Sequence, residues 1–227
     1  MEEISAYVER YALRELLSPE LIGALRPIRR GSGGYLIRSG DPVDRLLFFV
    51  EGKAKVYSRM ENGTSLLIRF YRPFDILGDL ELFALDRYLM DVVAISDTLC
   101  LGLSAELIKR RAAENAPLLM RICSRLGTKL ADSNVAAAIN LRYPVENRLA
   151  GYLLATMDYP AETGKGAKVS QATDDLGELA DLLGASYRQL ARVVRRFREE
   201  GILETRRGRI VVADRRKLEP LARDYYL

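Results

Sequence analysis

Histidine is absent from the 227 residues, and cysteine occurs only twice, as Cys100 and Cys123. Without histidine, Ser-His-Asp and Cys-His catalysis, histidine-containing zinc sites and histidine-ligated haem are all excluded. Two cysteines cannot supply four-thiolate iron–sulfur ligation within one chain, and two so far apart make no disulfide framework. Both read as ordinary core or interface residues. Long apolar runs are missing too: none approaches the ~20 residues needed to span a bilayer. The N-terminal stretch MEEISAYVERYALRELL is acidic and periodic, without the basic start and apolar core of a signal peptide, so the expectation is a cytoplasmic protein with no membrane partner. No nucleotide-binding glycine loop, nucleophile elbow or paired-ligand spacing is visible. Gly31-Ser32-Gly33-Gly34 lacks the lysine and helix of a phosphate loop and reads as a turn. The chain is therefore expected to be no enzyme and to carry no cofactor and no metal.

What is present is a balanced globular composition, 48% hydrophobic and 29% charged. The length suits one large or two ordinary domains. The net charge of +4 is unevenly spread. Between Gly184 and Lys217 lie eleven basic residues, from Arg188 to Lys217, against Glu199, Glu200, Glu204 and Asp214. That surplus of seven exceeds the whole chain's. A concentrated basic patch suits a polyanion, although a solvated helix face would also produce one.

Hydrophobic periodicity divides the chain. Residues 2–17 read as a short amphipathic helix, and Ser18-Pro19-Glu20 starts another turn with proline at its first position. YLIR, LLFFVEG, AKVYSRM, SLLIRFYR, DVVAIS and TLCLGLS then read as short strands, separated by turn signals such as Ser39-Gly40-Asp41-Pro42 and the hairpin pair Asn62-Gly63. Such a run predicts an antiparallel sandwich or barrel-like roll. From Ser104, which can serve as an N-cap, the period becomes helical. A long helix follows from Ala116 to Leu141, with Leu119, Ile122, Leu126, Leu130, Ala137 and Leu141 near a seven-residue repeat. Its small residues, Gly127, Ala131 and Ala136 among them, suit packing on a second copy as well as on the roll. Pro144 breaks it. The fold class is thus α+β: a roll over 1–114, a dimerisation helix over 115–143 and a C-terminal domain over 144–227.

In that last domain, Leu176, Leu179, Ala180 and Leu183 share one helical face. Gly184 suits a left-handed helix end, and Ser186 can cap the next helix. There Leu190, Val193, Val194 and Phe197 form a buried stripe, leaving Tyr187, Arg188, Gln189, Arg192 and Arg196 outside. This is a helix-turn-helix whose second helix is free to enter a major groove. Arginine can donate two bonds to guanine, and glutamine can pair with adenine. ILETRRGRIVVAD then reads as a two-stranded wing turning at Arg207-Gly208, with arginines for backbone phosphates. A helical pair used for protein contacts is the alternative.

The chain resembles the catabolite activator and fumarate–nitrate regulator (CRP/FNR) family of transcription regulators. The likeness rests on Leu36-Ile37-Arg38-Ser39-Gly40-Asp41-Pro42, Leu47-Phe48-Phe49-Val50-Glu51-Gly52, Phe74-Asp75-Ile76-Leu77-Gly78-Asp79, Asn115-Ala116-Pro117-Leu118-Leu119-Met120-Arg121, Glu146-Asn147-Arg148-Leu149-Ala150 and the winged helix-turn-helix. It implies an effector-sensing β-roll (cyclic-nucleotide-binding-like), a homodimer through the long helix, a pseudo-palindromic double-stranded DNA operator, and RNA polymerase as a further partner. Ser186, Tyr187, Arg188, Gln189, Arg192, Arg196 and Arg207 are the expected DNA-binding residues.

Two departures qualify the likeness. Members that bind cyclic AMP follow a glycine–glutamate pair with an arginine and a serine or threonine. Here Gly78 is kept, Asp79 is one methylene shorter than glutamate, and Tyr88 and Leu89 fall at the charge-handling positions. Arg87 is one residue early. The candidate effector pocket is therefore Gly78, Asp79, Leu80, Arg87, Tyr88 and Leu89, with Ser133 and Asn134 where the family's long helix touches the nucleotide. Either it serves a ligand without a cyclic phosphate, or Tyr88, Leu89 and Met90 pack it shut; the second is favoured. Cyclic AMP in the usual way is disfavoured. A redox- or metal-responsive regulator of the same fold is the other alternative, with Cys100 and Cys123 its only handles. The second departure is Arg188, where the family often has an acid that accepts from cytosine; Arg192 is the retained arginine. A half-site unlike the best-known operators is expected.

Overall fold

The computed structural model describes residues 2–61, 63–156, 175–206 and 209–222. It divides into two compact units, residues 1–56 with 71–133, and residues 57–70 with 134–227. The expected α+β class is what forms.

The first unit opens with α1 (Glu2–Arg10) and α2 (Pro19–Ala24). A single helix over 2–17 does not form. Ala12 takes the left-handed conformation at φ 50, and a 3-10 turn covers Leu13–Glu15. The break lets Leu13, Leu16 and Leu17 join Val8 in one core, whereas on a straight helix the five residues from Val8 to Leu13 would turn them onto different faces. Ser18 caps α2 by accepting from the Leu21 amide.

Ten strands follow in the whole chain among the described residues, eight of them in the roll: β1 (Arg26–Arg30), β2 (Tyr35–Ile37), β3 (Arg45–Glu51), β4 (Ala54–Arg59), β5 (Ser65–Tyr71), β6 (Asp75–Leu77), β7 (Asp91–Ala94) and β8 (Thr98–Ser104). They make two four-stranded sheets, ordered β1-β8-β3-β6 and β2-β7-β4-β5. In the first, antiparallel pairing sets Phe48 opposite Leu101 and also opposite Ile76. β3 is buried on both faces, from Leu46 to Val50. The reason is that Leu46, Phe48 and Val50 meet a core built with Val8, Leu13, Leu21, Ile108, Leu118 and Ile122 from the helices. Leu47 and Phe49, on the opposite face by strand alternation, are buried within the roll.

Ser104 caps α3 (Ala105–Arg111), and α4 then runs from Ala116 to Arg142. Its buried positions in the first unit are Leu118, Ile122 and Lys129, with Leu126 packed partly against the core. Leu130 is 64% exposed and Met120 69%. The face of α4 that meets the core therefore includes a lysine where an apolar stripe was expected to continue through Leu130.

The second unit holds α5 (Val145–Thr156), α6 (Leu176–Leu182), α7 (Tyr187–Glu199), β9 (Leu203–Arg206), β10 (Arg209–Val212) and α8 (Arg215–Ala222). α5 is buried from Asn147 to Thr156, because it packs on both α7 and α8. The β4–β5 hairpin tip groups with this unit, and the Phe70 ring lies 5.7 Å from that of Tyr152. The hairpin pair Asn62-Gly63 falls partly outside the described residues; Gly63 has φ 83.

Candidate nucleic-acid interface and roll pocket

The turn between α6 and α7 is fixed from both sides. Asp175 caps α6 by accepting from the Gly177 amide at 2.6 Å. At the other end Ala185 N–H bonds the Ala180 carbonyl and Gly184 N–H that of Asp181, both at 2.9 Å. That is the Schellman pattern, and it needs the left-handed residue that Gly184 supplies at φ 59. Arg148 of α5 then donates to the Leu183 carbonyl and, at 3.3 Å, to that of Gly184. A buried guanidinium thus satisfies carbonyls that a helix end leaves open. The sequence places Arg148 in a family motif but gives no sign of this role.

Ser186 begins α7 with a complete capping box: its hydroxyl accepts from the Gln189 amide, and the Gln189 side-chain oxygen accepts from the Ser186 amide. Leu190, Val194 and Phe197 are buried, and Val193 is half-buried. Tyr187, Arg188, Gln189, Arg192, Arg195 and Arg196 are exposed. Among the described residues neither Arg188 nor Arg192 has a carboxylate partner. Two of the expected contacts are differently placed. Gln189's amide oxygen serves the cap, so only its NH₂ is left for another partner. Arg196 pairs with Glu146 of α5, and its guanidinium pKa is raised chiefly by that hydrogen bond. β9 and β10 pair antiparallel, with Arg209 opposite Arg206. Arg207, expected at the wing tip, lies outside the described residues.

On the roll, residues 78–90 form a series of turns, not a helix. Gly78 has φ 82, and a Cβ there would come within 2.9 Å of the Arg45 carbonyl and 3.2 Å of the Tyr88 ring. Tyr88 is buried because its hydroxyl donates to that same carbonyl at 2.7 Å. Burial pushes its pKa up to about 12. Arg87 does not swing inward: it donates to the Gly40 carbonyl at 2.6 Å and is exposed. Leu80 is exposed as well, and Leu89 is 50% exposed, so Leu89 does not plug the roll as the packed-shut reading expected; Met90 is half-buried. Ser133 donates to the Lys129 carbonyl within α4, and Asn134 is exposed.

Asp79 is engaged by a residue that sequence reasoning passed over. The Lys129 ammonium lies 2.7 and 2.8 Å from its two oxygens and 2.5 Å from the Ile76 carbonyl. It also sits 5.1 Å from the centre of the Tyr71 ring and 3.8 Å from Asp75. Arg125, one turn earlier, holds Asp75 at 2.7 Å. Glu81 completes the cluster, accepting from the Leu89 amide at 3.1 Å. Burial, the largest influence, raises the Glu81 pKa from 4.5. A carboxyl raised in the folded state contributes stability that is complete below its ordinary value and is lost as pH climbs through the elevated one. Glu81→Gln keeps the acceptor for Leu89. It is expected to match the parent protein near pH 4 and to exceed it in denaturant midpoint at neutral pH.

Cys100 is buried in β8, with its thiol pushed up to about 12 by desolvation. A thiol so buried presents no reactive thiolate. Cys123 is exposed on α4. Among the described residues no group of three cysteines and carboxylates could hold a metal ion, and no helix is long and apolar enough to cross a membrane.

A β-roll followed by a helix-turn-helix with a two-stranded wing is the architecture of a DNA-binding transcription regulator. Comparison with known proteins agrees. Residues 28–115 match the cyclic nucleotide-binding domain model and residues 147–221 the Crp-like helix-turn-helix model. The chain belongs to the CRP/FNR family of DNA-binding transcription regulators. It is 26% identical to regulatory protein YeiL of Escherichia coli O157:H7 over 83% of this chain and 81% of that one. It is 24% identical to the CRP-like cAMP-activated global transcriptional regulator of Mycobacterium tuberculosis, over 98% and 100%. A crystal structure of a CRP-family transcriptional regulator from Thermus thermophilus shares the fold at TM-score 0.70 and 22% identity, covering 88% of this chain and 98% of the other.

Proposed function

We propose that the chain works as a homodimer, joined through α4, that reads a pseudo-palindromic operator with α7 and takes no cyclic AMP. The observation that carries this reading is the exposed N-terminal half of α7, where Arg188 and Arg192 project from a doubly bonded cap and have no carboxylate partner among the described residues. Arg188 and Arg192 read purines in the major groove. Ser186, Tyr187 and Gln189 approach the same groove wall, Arg207 addresses backbone phosphates, and Arg196, paired with Glu146, braces α7 on α5. Two α7 helices related by two-fold symmetry read half-sites about one helical turn apart.

The dimer reading is supported by Met120 and Leu130, which stand largely exposed on α4. Large apolar residues so exposed on a helix suit a partner surface. Leu130→Glu is expected to weaken the dimer about tenfold or more, from the ~1.5–3 kcal/mol lost per buried leucine, measured by light scattering across a dilution series. Operator binding is expected to weaken with it.

Against cyclic AMP stand Tyr88 and Leu89, where a phosphate would need an arginine and a hydroxyl, and Asp79, already engaged by Lys129. The test of the whole reading is selection from random duplex DNA. It is expected to return an inverted repeat bound by two chains, with calorimetry showing no heat of binding for cyclic AMP. A non-palindromic product, or none, overturns the reading of a dimeric operator binder.

A further inference from the structure

We propose that Lys129 is a built-in ligand of the roll: its ammonium fills the acceptor cradle of Asp79 and Ile76 and holds α4 against β6, so that the protein adopts its DNA-binding arrangement without a diffusible nucleotide. This rests on the reading of the chain as an operator-binding regulator.

The geometry is that of a filled site. An ammonium has three protons to donate. Here the Ile76 carbonyl and both Asp79 oxygens stand within 2.8 Å of it. The Lys129 side chain is 11% exposed and that of Asp79 only 2%, so water supplies little of the bonding. The Tyr71 ring beneath adds a cation–π contact. Asp79 also accepts from its neighbour's amide, Leu80 N–H, at 3.1 Å. Its position is thereby fixed before any ligand arrives.

The charges around Asp79 oppose an anionic occupant at that position. An anionic phosphate entering beside Gly78 would meet Asp79, Asp75 and Glu81. To be bound there it would have to draw Lys129 away from two carboxylate oxygens. Arg125 is no substitute, since it is held by Asp75.

An effector shifts a conformational equilibrium only through contacts that differ between the states. A contact between a strand of the roll and the long helix is such a contact. When a side chain of the helix supplies it, its effective concentration is set by the fold and never falls to zero. Lys129 does so from within the buried row of α4, at seven residues beyond Ile122 and on the same side. The clamp therefore ties Asp79 in the turn after β6 to the middle of α4.

The experiment measures affinity for the selected operator with the full-length parent protein, Lys129→Ala and Lys129→Gln. Each is measured alone, with millimolar cyclic AMP or cyclic GMP, and with n-propylammonium or tetramethylammonium chloride at equal ionic strength. The parent protein is expected to bind without nucleotide and to be unchanged by either one. Lys129→Ala is expected to bind about tenfold or more weakly, within the usual range of coupling between sites. Propylammonium, which replaces the three carbons and the nitrogen lost, is expected to restore part of the affinity; tetramethylammonium, which cannot donate a hydrogen bond, is not. Lys129→Gln, one atom shorter, keeps a hydrogen-bond donor without the charge and carries the test should the alanine variant not fold. A folded variant that binds as the parent does overturns the proposal, as does a tenfold gain of the parent protein on adding a cyclic nucleotide. A parent protein that binds no selected DNA under any condition instead overturns the operator-binding reading on which the proposal rests.

Discussion

Asp79→Leu alone is expected to cost about 3–5 kcal/mol of folding stability, and Asp79→Leu combined with Lys129→Met to recover most of it. The asymmetry follows from burial. Removing the carboxylate takes from a buried ammonium its two closest anionic contacts, while the Ile76 carbonyl, the Tyr71 ring and the more distant Asp75 remain beside it. Desolvation of that charge is then compensated only in part. Removing both partners leaves two apolar side chains between the turn after β6 and α4, with Asp75 still held by Arg125 and neither half of the Asp79–Lys129 pair left unmatched. Urea unfolding of the roll, followed at constant m-value, separates the two cases. Equal losses in the single and double variants would mean that the shape of Asp79, not its pairing with Lys129, supports the turn after Gly78. This stability measurement is independent of DNA. It therefore establishes the strength of the clamp whatever the clamp does to operator binding.

The same cluster marks where the sequence was legible and where it was not. Strands with dense β-branched and aromatic residues were visible as such: β3, β4, β5, β7 and β8 all form where their composition predicts. β1 and β6 were not foreseen. β1 is RPIRR, with only Ile28 turned partly inward, and its pairing with β8 is decided by the partner strand. β6 is three residues long and buried throughout, too short to show alternation. The caps Ser104 and Ser186, the helix start at Pro19 and the glycine turn at Gly184 are readable because each rests on a local rule. Ala12 is not, since its left-handed backbone is imposed by the core that Leu13, Leu16 and Leu17 must reach.

The site residues divide along the same line. Arg188 and Arg192 could be placed outward from helical period alone. The engagement of Arg196 by Glu146, across 50 residues of sequence, could not. Lys129 is the site residue least visible in the sequence. Ile122, Leu126, Lys129 and Ser133 follow one another at spacings of four, three and four, a seam in which a lysine is anomalous. Its partner Asp79 was already suspect as a replacement for glutamate. The signal was present in two halves, and only the fold brings them together.

Arg188→Ala is expected to remove sequence preference at one position of each half-site, at about 1–3 kcal/mol per bidentate contact and so about twice that for a symmetric operator. The reason lies in the cap. With Ser186 and Gln189 locked in their reciprocal bonds, the first turn of α7 has little freedom, and the Arg188 guanidinium is expected to meet a base edge without ordering the backbone first. Loss of the side chain therefore removes nearly the whole contact. Arg192, one turn further on, is expected to act at a neighbouring base pair, and the two losses to add only roughly because the residues share a face. Arg207 provides the contrast. As a phosphate contact, it is expected on change to alanine to weaken selected and scrambled DNA alike and to lower the salt slope by about 1 per chain. Titrating both variants on both DNAs over a range of salt distinguishes the roles. Equal weakening of selected and scrambled DNA by Arg188→Ala would move that residue from the bases to the backbone, and the reading of α7 as the element that specifies sequence would then rest on Arg192 alone.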